Sequence, residues 1–419
     1  MKIVIVNQHS CNRGDEAAGR AVIESLLNAF PDSTIEVLYL FFGEYPAIAN
    51  DTNRVTHFPQ YKYVYDKKCI YKLYLEIGWN FLLGLLRFKK GFIGSSGNIY
   101  KKIANADIVV NAPTGPNIGD IYRNKFYMLN LLFAEICGKK TFMYGSSVGP
   151  FNIPWVRDTA KFIFEKMNVV CVREDVSLEH LNKLKLKNKN IYSSLDAAIQ
   201  RDINAENADV YYKDAGFNLN TYNVGITPLA FPWYPKEIRD EEHQQIVEKN
   251  LTTIIDKITE NGDTNVFFFP QLYSTKKDGE IGVNDMPIIK SIISKVKQPE
   301  FCKIIPIEYD SDIQQIMISK LNYFIGMRYH SLIFSIKMGV PVVAICYEHK
   351  ATGFLEKVNL KELIVKLEDF CKTPNIVFEK IDYINQNSET LKNSINKHLP
   401  ELKKLSSKGT MLIKKYLEK

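Results

Sequence analysis

Short apolar runs, each followed by a polar loop and then a stretch of helical period, recur along this chain. Ile3–Val6 and Val266–Phe269 are apolar throughout. A run of that kind suits a strand buried on both faces, and the helix after it suits the crossover between parallel strands. The first series of strands reads Ile3–Val6, Ile35–Leu40, Asp107–Val110, Lys140–Tyr144, Val169–Val172 and a short run near Ile191. The second reads Asn223–Thr227, Val266–Phe269, Lys303–Pro306, Tyr323–Gly326 and Pro341–Ile345. Helices are expected between them, among them Glu16–Ala29, Tyr122–Cys137, Trp155–Lys166, Glu241–Thr259, Met286–Val296 and Ser331–Met338. Residues 43–95 are Tyr-rich and break the rhythm, so an insertion with helices is expected there. Residues 200–222 are polar and suit a linker.

A chain of 419 residues exceeds what one core usually holds, roughly 250–300 residues. The reading is therefore α/β with two domains in series. The first covers residues 1–205 and the second 206–375, and a helical basic tail broken at Pro400 covers 376–419. Ligands of open α/β sheets bind outside the strand C-termini, so the expected active site lies in the cleft between the two.

The formal charge of +7 is a modest excess of 54 basic over 47 acidic residues. No basic stripe with interleaved aromatics points to nucleic acid. The C-terminal lysines read first as a solvated tail, and second as a partner for an anionic membrane surface. Seven scattered cysteines without a close pair fit reduced thiols and a cytoplasmic setting. The N-terminus lacks the apolar stretch of a signal peptide. The longest apolar stretch, Ile77–Phe88, is too short to span a bilayer, and reads as a buried helix or one lying against lipid. Peripheral contact with the inner face of the cell membrane is part of the expectation; oligomeric state stays open.

Polar residues gather just after strands and before helices. The first loop holds Asn12, Arg13, Gly14 and Asp15; Asp15 suits a helix cap, but Arg13 beside His9 and Asn12 is not explained by capping. Thr114–Asp120 and Gly145–Pro150, with Gly145 and Ser147, are glycine-bearing loops that offer backbone N–H groups to an anion. Neither has the Gly-Lys-Ser/Thr ending of a nucleotide loop. Arg173 at a strand end suits an anion, or else pairs with Glu174 or Asp196. Gly326-Met327-Arg328-Tyr329-His330 places an arginine and an imidazole where a helix begins, an arrangement suited to anion binding and proton transfer. Tyr347-Glu348-His349-Lys350 adds a lysine suited to phosphate or carboxylate. No short His/Cys spacing suggests zinc, and no Gly-x-Ser-x-Gly elbow suggests a serine hydrolase.

In this order, the motifs Asn12–Asp15, Thr114–Asp120, Gly145–Pro150, Val172–Ser177, Asp196-Ala197, Gly326–His330 and Pro341–Lys350 resemble those of the polysaccharide pyruvyl transferases, over about residues 1–375. The resemblance implies two Rossmann-like domains in the glycosyltransferase B arrangement. It also implies transfer of pyruvate from phosphoenolpyruvate, as a ketal, to a sugar of a bacterial surface glycan or its lipid-linked precursor. His330 falls on the family's catalytic histidine and Arg173 on its conserved arginine. On this reading Arg173, Arg328 and Lys350 bind the donor, helped by the loops at Gly326 and Gly145 and by Tyr347. Asp15 or Asp120 accepts a proton from a sugar hydroxyl. Asn12, Arg13 and Ser147 complete the expected binding set. The donor side would be the second domain and the acceptor side the first. Phosphoenolpyruvate enters as substrate, and no cofactor or metal is expected. One loop departs from the family pattern: Asn111-Ala112-Pro113-Thr114-Gly115-Pro116 stands where members have a run of glycines. The alternative reading is a glycosyltransferase using a nucleotide sugar in the same pathway.

Overall fold

The computed structural model describes the chain apart from residues 10–11, 40–52, 60–66, 89–90, 116–117, 121–124, 205–207, 219, 231–233, 235, 276–280 and 348. It divides into two compact units, Met1–Arg201 with Leu402–Lys419, and Asp202–Glu401.

The first unit runs β1 (Lys2–Gln8), α1 (Arg13–Ala29), β2 (Thr34–Tyr39), β3 (Val55–Pro59), α2 (Lys67–Leu85), α3 (Gly94–Ala104), β4 (Ile108–Asn111), α4 (Lys125–Ile136), β5 (Lys140–Ser146), α5 (Pro154–Lys166), β6 (Val169–Val172), α6 (Asp175–Lys183) and β7 (Ile191–Ser193). Its seven strands are all parallel, in the order β3-β2-β1-β4-β5-β6-β7. The order reverses between β1 and β4. Ile3, Val4 and Ile5 pair with Ile108, Val109 and Val110, and all six are buried, which is why these runs carry no polar face.

The second unit runs α7 (Ala208–Asp214), β8 (Tyr222–Thr227), α8 (Glu241–Thr259), β9 (Thr264–Phe268), β10 (Tyr273–Thr275), β11 (Ile281–Val283), α9 (Met286–Ile293), β12 (Cys302–Ile304), α10 (Ser311–Ile318), β13 (Tyr323–Gly326), α11 (Tyr329–Lys337), β14 (Val342–Cys346), α12 (His349–Lys357), β15 (Ile364–Lys366) and α13 (Leu367–Lys372). Six parallel strands follow the order β12-β9-β8-β13-β14-β15, reversing between β8 and β13; β10 and β11 form a separate antiparallel hairpin. The long α14 (Asn375–Ser406) and the short α15 (Lys408–Leu417) close the chain.

Four expectations change. The stretch read as a helical insertion also supplies a strand, β3, on the edge of the first sheet. The stretch read as a linker contains α7, whose Tyr212 is buried and donates its hydroxyl to the Ile316 carbonyl. Pro400 does not break the terminal helix; the non-helical residue inside α14 is Asn387. Nor do residues 376–419 form a tail of their own. Thr410 of α15 shares hydrogen bonds with Ser25 (2.6 Å) and Tyr144 (2.8 Å), and Ser406 donates to the Asp196 carbonyl (2.6 Å). Gly409 lies so close to the Tyr144 ring that a Cβ there would stand 2.9 Å from it. Lys414 and Lys415 are exposed on this docked helix, whereas Lys408 donates to the Ser193 carbonyl (2.9 Å).

Candidate functional site

The motif loops fall at the carboxyl ends of neighbouring strands: β1, β4, β5 and β6 in the first unit, which include the pair where strand order reverses, and β13 and β14 in the second, where β13 is one strand of that pair. Such reversal points open a crevice that β-sheet ligands use.

In the first unit, the segments at the carboxyl ends of β1, β4, β5 and β6 carry Asn12–Asp15, Asn111–Gly115 with Ile118–Asp120, Gly145–Ser147 and Arg173, residues 116–117 lying outside the described residues. Asn12, not Asp15, caps α1, accepting from the Gly14 amide at 2.8 Å. Arg13 is buried and turned along its own helix onto Glu16 (2.6 Å), which also meets Arg20 (3.2 Å). Glu16 is wholly buried, and a buried carboxylate needs this cationic pairing. Asp15, half-buried, stands in the first turn at the rim.

The loop that departs from the family pattern has a structural use for its polar residue. Asn111 accepts from Asn7 Nδ2 (2.7 Å) and donates to Ser146 Oγ (2.9 Å), while Asn130 donates to Asn7 Oδ1 (2.7 Å). This amide chain links β1, β4, β5 and α4 in a region closed to water. The two glycine-bearing loops run side by side: Gly149 N bonds Ile118 O (2.8 Å), Asp120 N bonds Pro150 O (2.9 Å), and Ser147 N bonds Thr114 O (3.3 Å). Gly145 holds a φ of 57°, a left-handed turn that glycine adopts without cost. The Asp120 carboxylate accepts from the backbone amides of Asn152 (2.5 Å) and Ile153 (3.3 Å), at the entrance to α5.

Arg173 is placed otherwise than as a ligand at the loop tip. It is 2% exposed, with Nη1 on Asp196 Oδ2 at 2.5 Å and Nε donating to Ser147 Oγ at 2.8 Å. Asp196 in turn accepts from the Ala198 amide (3.0 Å). Of the two readings, pairing with Asp196 is the one observed, because a guanidinium this deep requires a carboxylate partner. Arg173 and Ser147 thus come together, inside the wall rather than on it.

In the second unit, Gly326 ends β13, and Arg328 is the residue from which α11 starts. Gly326 is needed for close packing: a Cβ there would sit 2.5 Å from Leu332. His330 lies in the first turn of α11, 9% exposed, its ring 5.4 Å from that of Tyr329. Tyr347 follows the adjacent β14, and Lys350 stands in the first turn of α12 with Nζ 5.5 Å from the Tyr329 ring centroid. The Tyr329 ring thus lies near both basic groups. Gly326, Arg328, His330, Tyr347 and Lys350 all occupy this one sheet edge.

Sequence reasoning missed Asp285. It is fully buried, forms an ion pair with Arg328 Nη2 through Oδ1, and accepts the amides of Gln271 (3.0 Å) and Leu272 (2.9 Å) through Oδ2. It stands just before α9, and its side chain makes no capping bond. The carboxylate instead fixes the Arg328 guanidinium, whose Nε is buried without a hydrogen-bond partner. Asn7 was missed as well; its φ of 65° is the backbone signature of a constrained site, invisible in sequence. Among the described residues, no group of three or more His, Cys, Asp or Glu is placed to hold a metal ion.

Among solved structures, Anabaena HepE in complex with UDP-glucose matches at a TM-score of 0.61 with 10% identity, covering 100% of this chain and 98% of that one. UDP-GlcNAc 2-epimerase from Neisseria meningitidis matches at 0.59 with 12% identity, covering 100% and 99%. Both likenesses are of fold, that of two Rossmann-like units of the glycosyltransferase B kind. By sequence, the amylovoran biosynthesis protein AmsJ of Erwinia amylovora is 23% identical over 423 residues, 98% of each chain. The family model for polysaccharide pyruvyl transferase matches residues 12–349, from the cap of α1 to the start of α12, and the chain belongs to that family.

Proposed function

We propose that the protein moves pyruvate from phosphoenolpyruvate onto two hydroxyls of one sugar, as a ketal, in the assembly of a bacterial surface glycan or its lipid-linked precursor. The observation that carries this reading is the family match across both units. The likeness to AmsJ supports a polysaccharide context. At residue level, the grouping of Arg328, His330 and Lys350 on one sheet edge suits a donor with a phosphate and a carboxylate.

The chemistry asks for two proton transfers. One hydroxyl adds to C2 of phosphoenolpyruvate as C3 gains a proton. The C2–O bond to phosphate then breaks, and the second hydroxyl closes the ketal. The two hydroxyl protons are balanced by the one taken up at C3 and one leaving with phosphate. His330 is the proposed proton donor to C3, and Arg328, held by Asp285, the anchor of the anion. Asp15 is the proposed acceptor of a sugar proton, since Asp120 already serves the amides ahead of α5. Arg173 then acts on the loop at Ser147 through its hydrogen bond rather than on the donor directly.

Incubation with phosphoenolpyruvate and lipid-linked sugars, followed by phosphate release and product mass, tests the proposal. Phosphate should appear together with an acceptor carrying one added carboxyethylidene group. The His330→Ala variant should lose about 100-fold or more in kcat while keeping its folding transition. Release of a nucleoside diphosphate from a nucleotide sugar, with phosphoenolpyruvate inert, would instead establish the glycosyltransferase reading.

A further inference from the structure

The helix α2 is apolar on both sides: Leu73, Ile77 and Leu83 are buried, and its outer side is apolar as well. Its outward positions Tyr71, Lys72, Tyr74, Leu75, Gly78, Trp79, Leu82 and Leu85 carry one charge among them, and Leu86 and Phe88 continue the exposed apolar surface. Tyr71 and Leu75 are each 77% exposed, whereas the polar Asn80 is wholly buried, bonded to Ile93 and Ser96. Tyr71, Leu75, Leu82 and Leu86 lie on one side of the helix by their spacing. An exposed apolar face of this extent marks a contact surface, not ordinary scatter.

The face continues beyond α2. A groove of about 610 Å³ lies between α2, α4 and α5, lined by Tyr74, Gly78, Met128, Leu132 and Trp155, with Lys125 at its edge. At the other end of α2, Arg87 and Lys139 border a smaller depression of about 250 Å³. The charge around the face is one-sided: from Lys67 to Ala104 the sequence has eight Lys or Arg residues and one acid, Glu76. Lys102 is paired with Glu36, but Lys72, Arg87 and Lys101 are exposed. Apolar and aromatic side chains rimmed by cations match the interface of an anionic bilayer. A second copy of the chain fits less well, since a two-fold contact would set these cations against their own equivalents.

We infer that α2 is a membrane-docking helix, its outer face inserted into the headgroup boundary of an anionic phospholipid leaflet. The groove beside it takes in apolar chain from that leaflet. This inference goes beyond the transfer reaction and does not depend on which group is transferred.

Vesicle flotation of the full chain tests it, using phosphatidylcholine alone and phosphatidylcholine mixed with phosphatidylglycerol. The chain should float with the mixed vesicles and remain below with the neutral ones. The Leu75→Gln/Leu82→Gln/Leu86→Gln variant should lose about 100-fold in partitioning. Lys72→Glu/Arg87→Glu should lose about tenfold, with the loss confined to the anionic vesicles. Met411→Gln removes an equally accessible apolar side chain from α15 and should float like the parent. All three variants change exposed positions, and unchanged thermal unfolding would establish that they are folded. Flotation of the triple-leucine variant equal to the parent overturns the inference, as does failure of the parent to float with either vesicle. A dimer in sedimentation that the triple-leucine change dissociates also overturns it, since the face would then be a contact between copies.

Discussion

Single residues in this protein take roles set by what surrounds them more than by what they are. Arg173 and Arg328 both stand just beyond a strand, yet Arg173 is sealed against Asp196 while Arg328 is tied by Asp285 at the edge that carries His330. Removing one member of a buried pair costs about 3–5 kcal/mol, so both carboxylates hold more than local geometry. Glu135 is the clearest titrating group among them. Burial pushes its carboxyl up from 4.5 to about 7, against the opposing effects of the Thr141 hydroxyl bond and Lys166. The folded state therefore keeps a proton that the unfolded chain releases, and folding takes up a proton between those two values. This contribution to stability is fully present below pH 4.5 and lost as pH rises through about 7. Thermal unfolding of the parent should show a loss of about 1–2 kcal/mol across that window, smaller than the full shift implies because the group is partly solvated. Glu135→Gln should flatten this slope; an unchanged pH profile in that variant would assign it to another group.

The loops and helices depend on close approaches between segments far apart in sequence. The loop after β4 lies against the loop after β5 through backbone hydrogen bonds, and the contact is tight enough that a Cβ on Gly119 would fall 2.7 Å from the Gly149 carbonyl oxygen. Backbone cannot yield there as the end of a side chain can. Gly119→Ala should cost about 1–3 kcal/mol and lower the unfolding temperature. Equal stability in that variant would show that the two loops part freely. The helices follow the same logic. Asn12 ends the polar loop and starts α1 by capping Gly14, and the buried Glu16 is balanced by arginines one turn to either side.

At the scale of the whole chain, the last eighteen residues, Leu402–Lys419, count with the first unit although the preceding two hundred belong to the second. Docking of α15 sets Tyr416 against Phe142, with ring centroids 5.6 Å apart, and joins Asn168 to the Tyr416 hydroxyl at 2.6 Å. Ile413 is 1% exposed in the same contact. Truncation after Glu401 would uncover this side of β5, β6 and α1, including the rings of Phe142 and Tyr144. The shortened chain should unfold at a lower temperature, with about 2–4 kcal/mol lost from the first unit, and should aggregate on heating. An unaltered melting curve would mean that α15 adds nothing to that unit. Among the described residues, no helix is long and apolar enough to cross a membrane.

By itself the sequence determined the class of fold, because a strand buried on both faces must be apolar throughout and its parallel partner must be reached through a helix. Tyr323–Gly326 and Glu241–Thr259 are bounded in the structure as their patterns dictate. The family motifs were legible too, since they are local strings at strand ends. Tertiary structure alone decided how those strings are used. Asp285 carries no signal in the sequence and is the partner of Arg328; Arg173 reads as a ligand or a partner and is buried with Asp196; Asn111 reads as a departure from a glycine run and joins four elements in one amide chain. In each case the deciding contact joins residues many positions apart, and a buried polar group must find its partner wherever the fold brings one. The same holds for the apolar stretch at Ile77–Phe88. Its composition left open a buried helix or one lying against lipid, and the fold buries Ile77, Asn80 and Leu83 while leaving Leu82, Leu85 and Leu86 exposed.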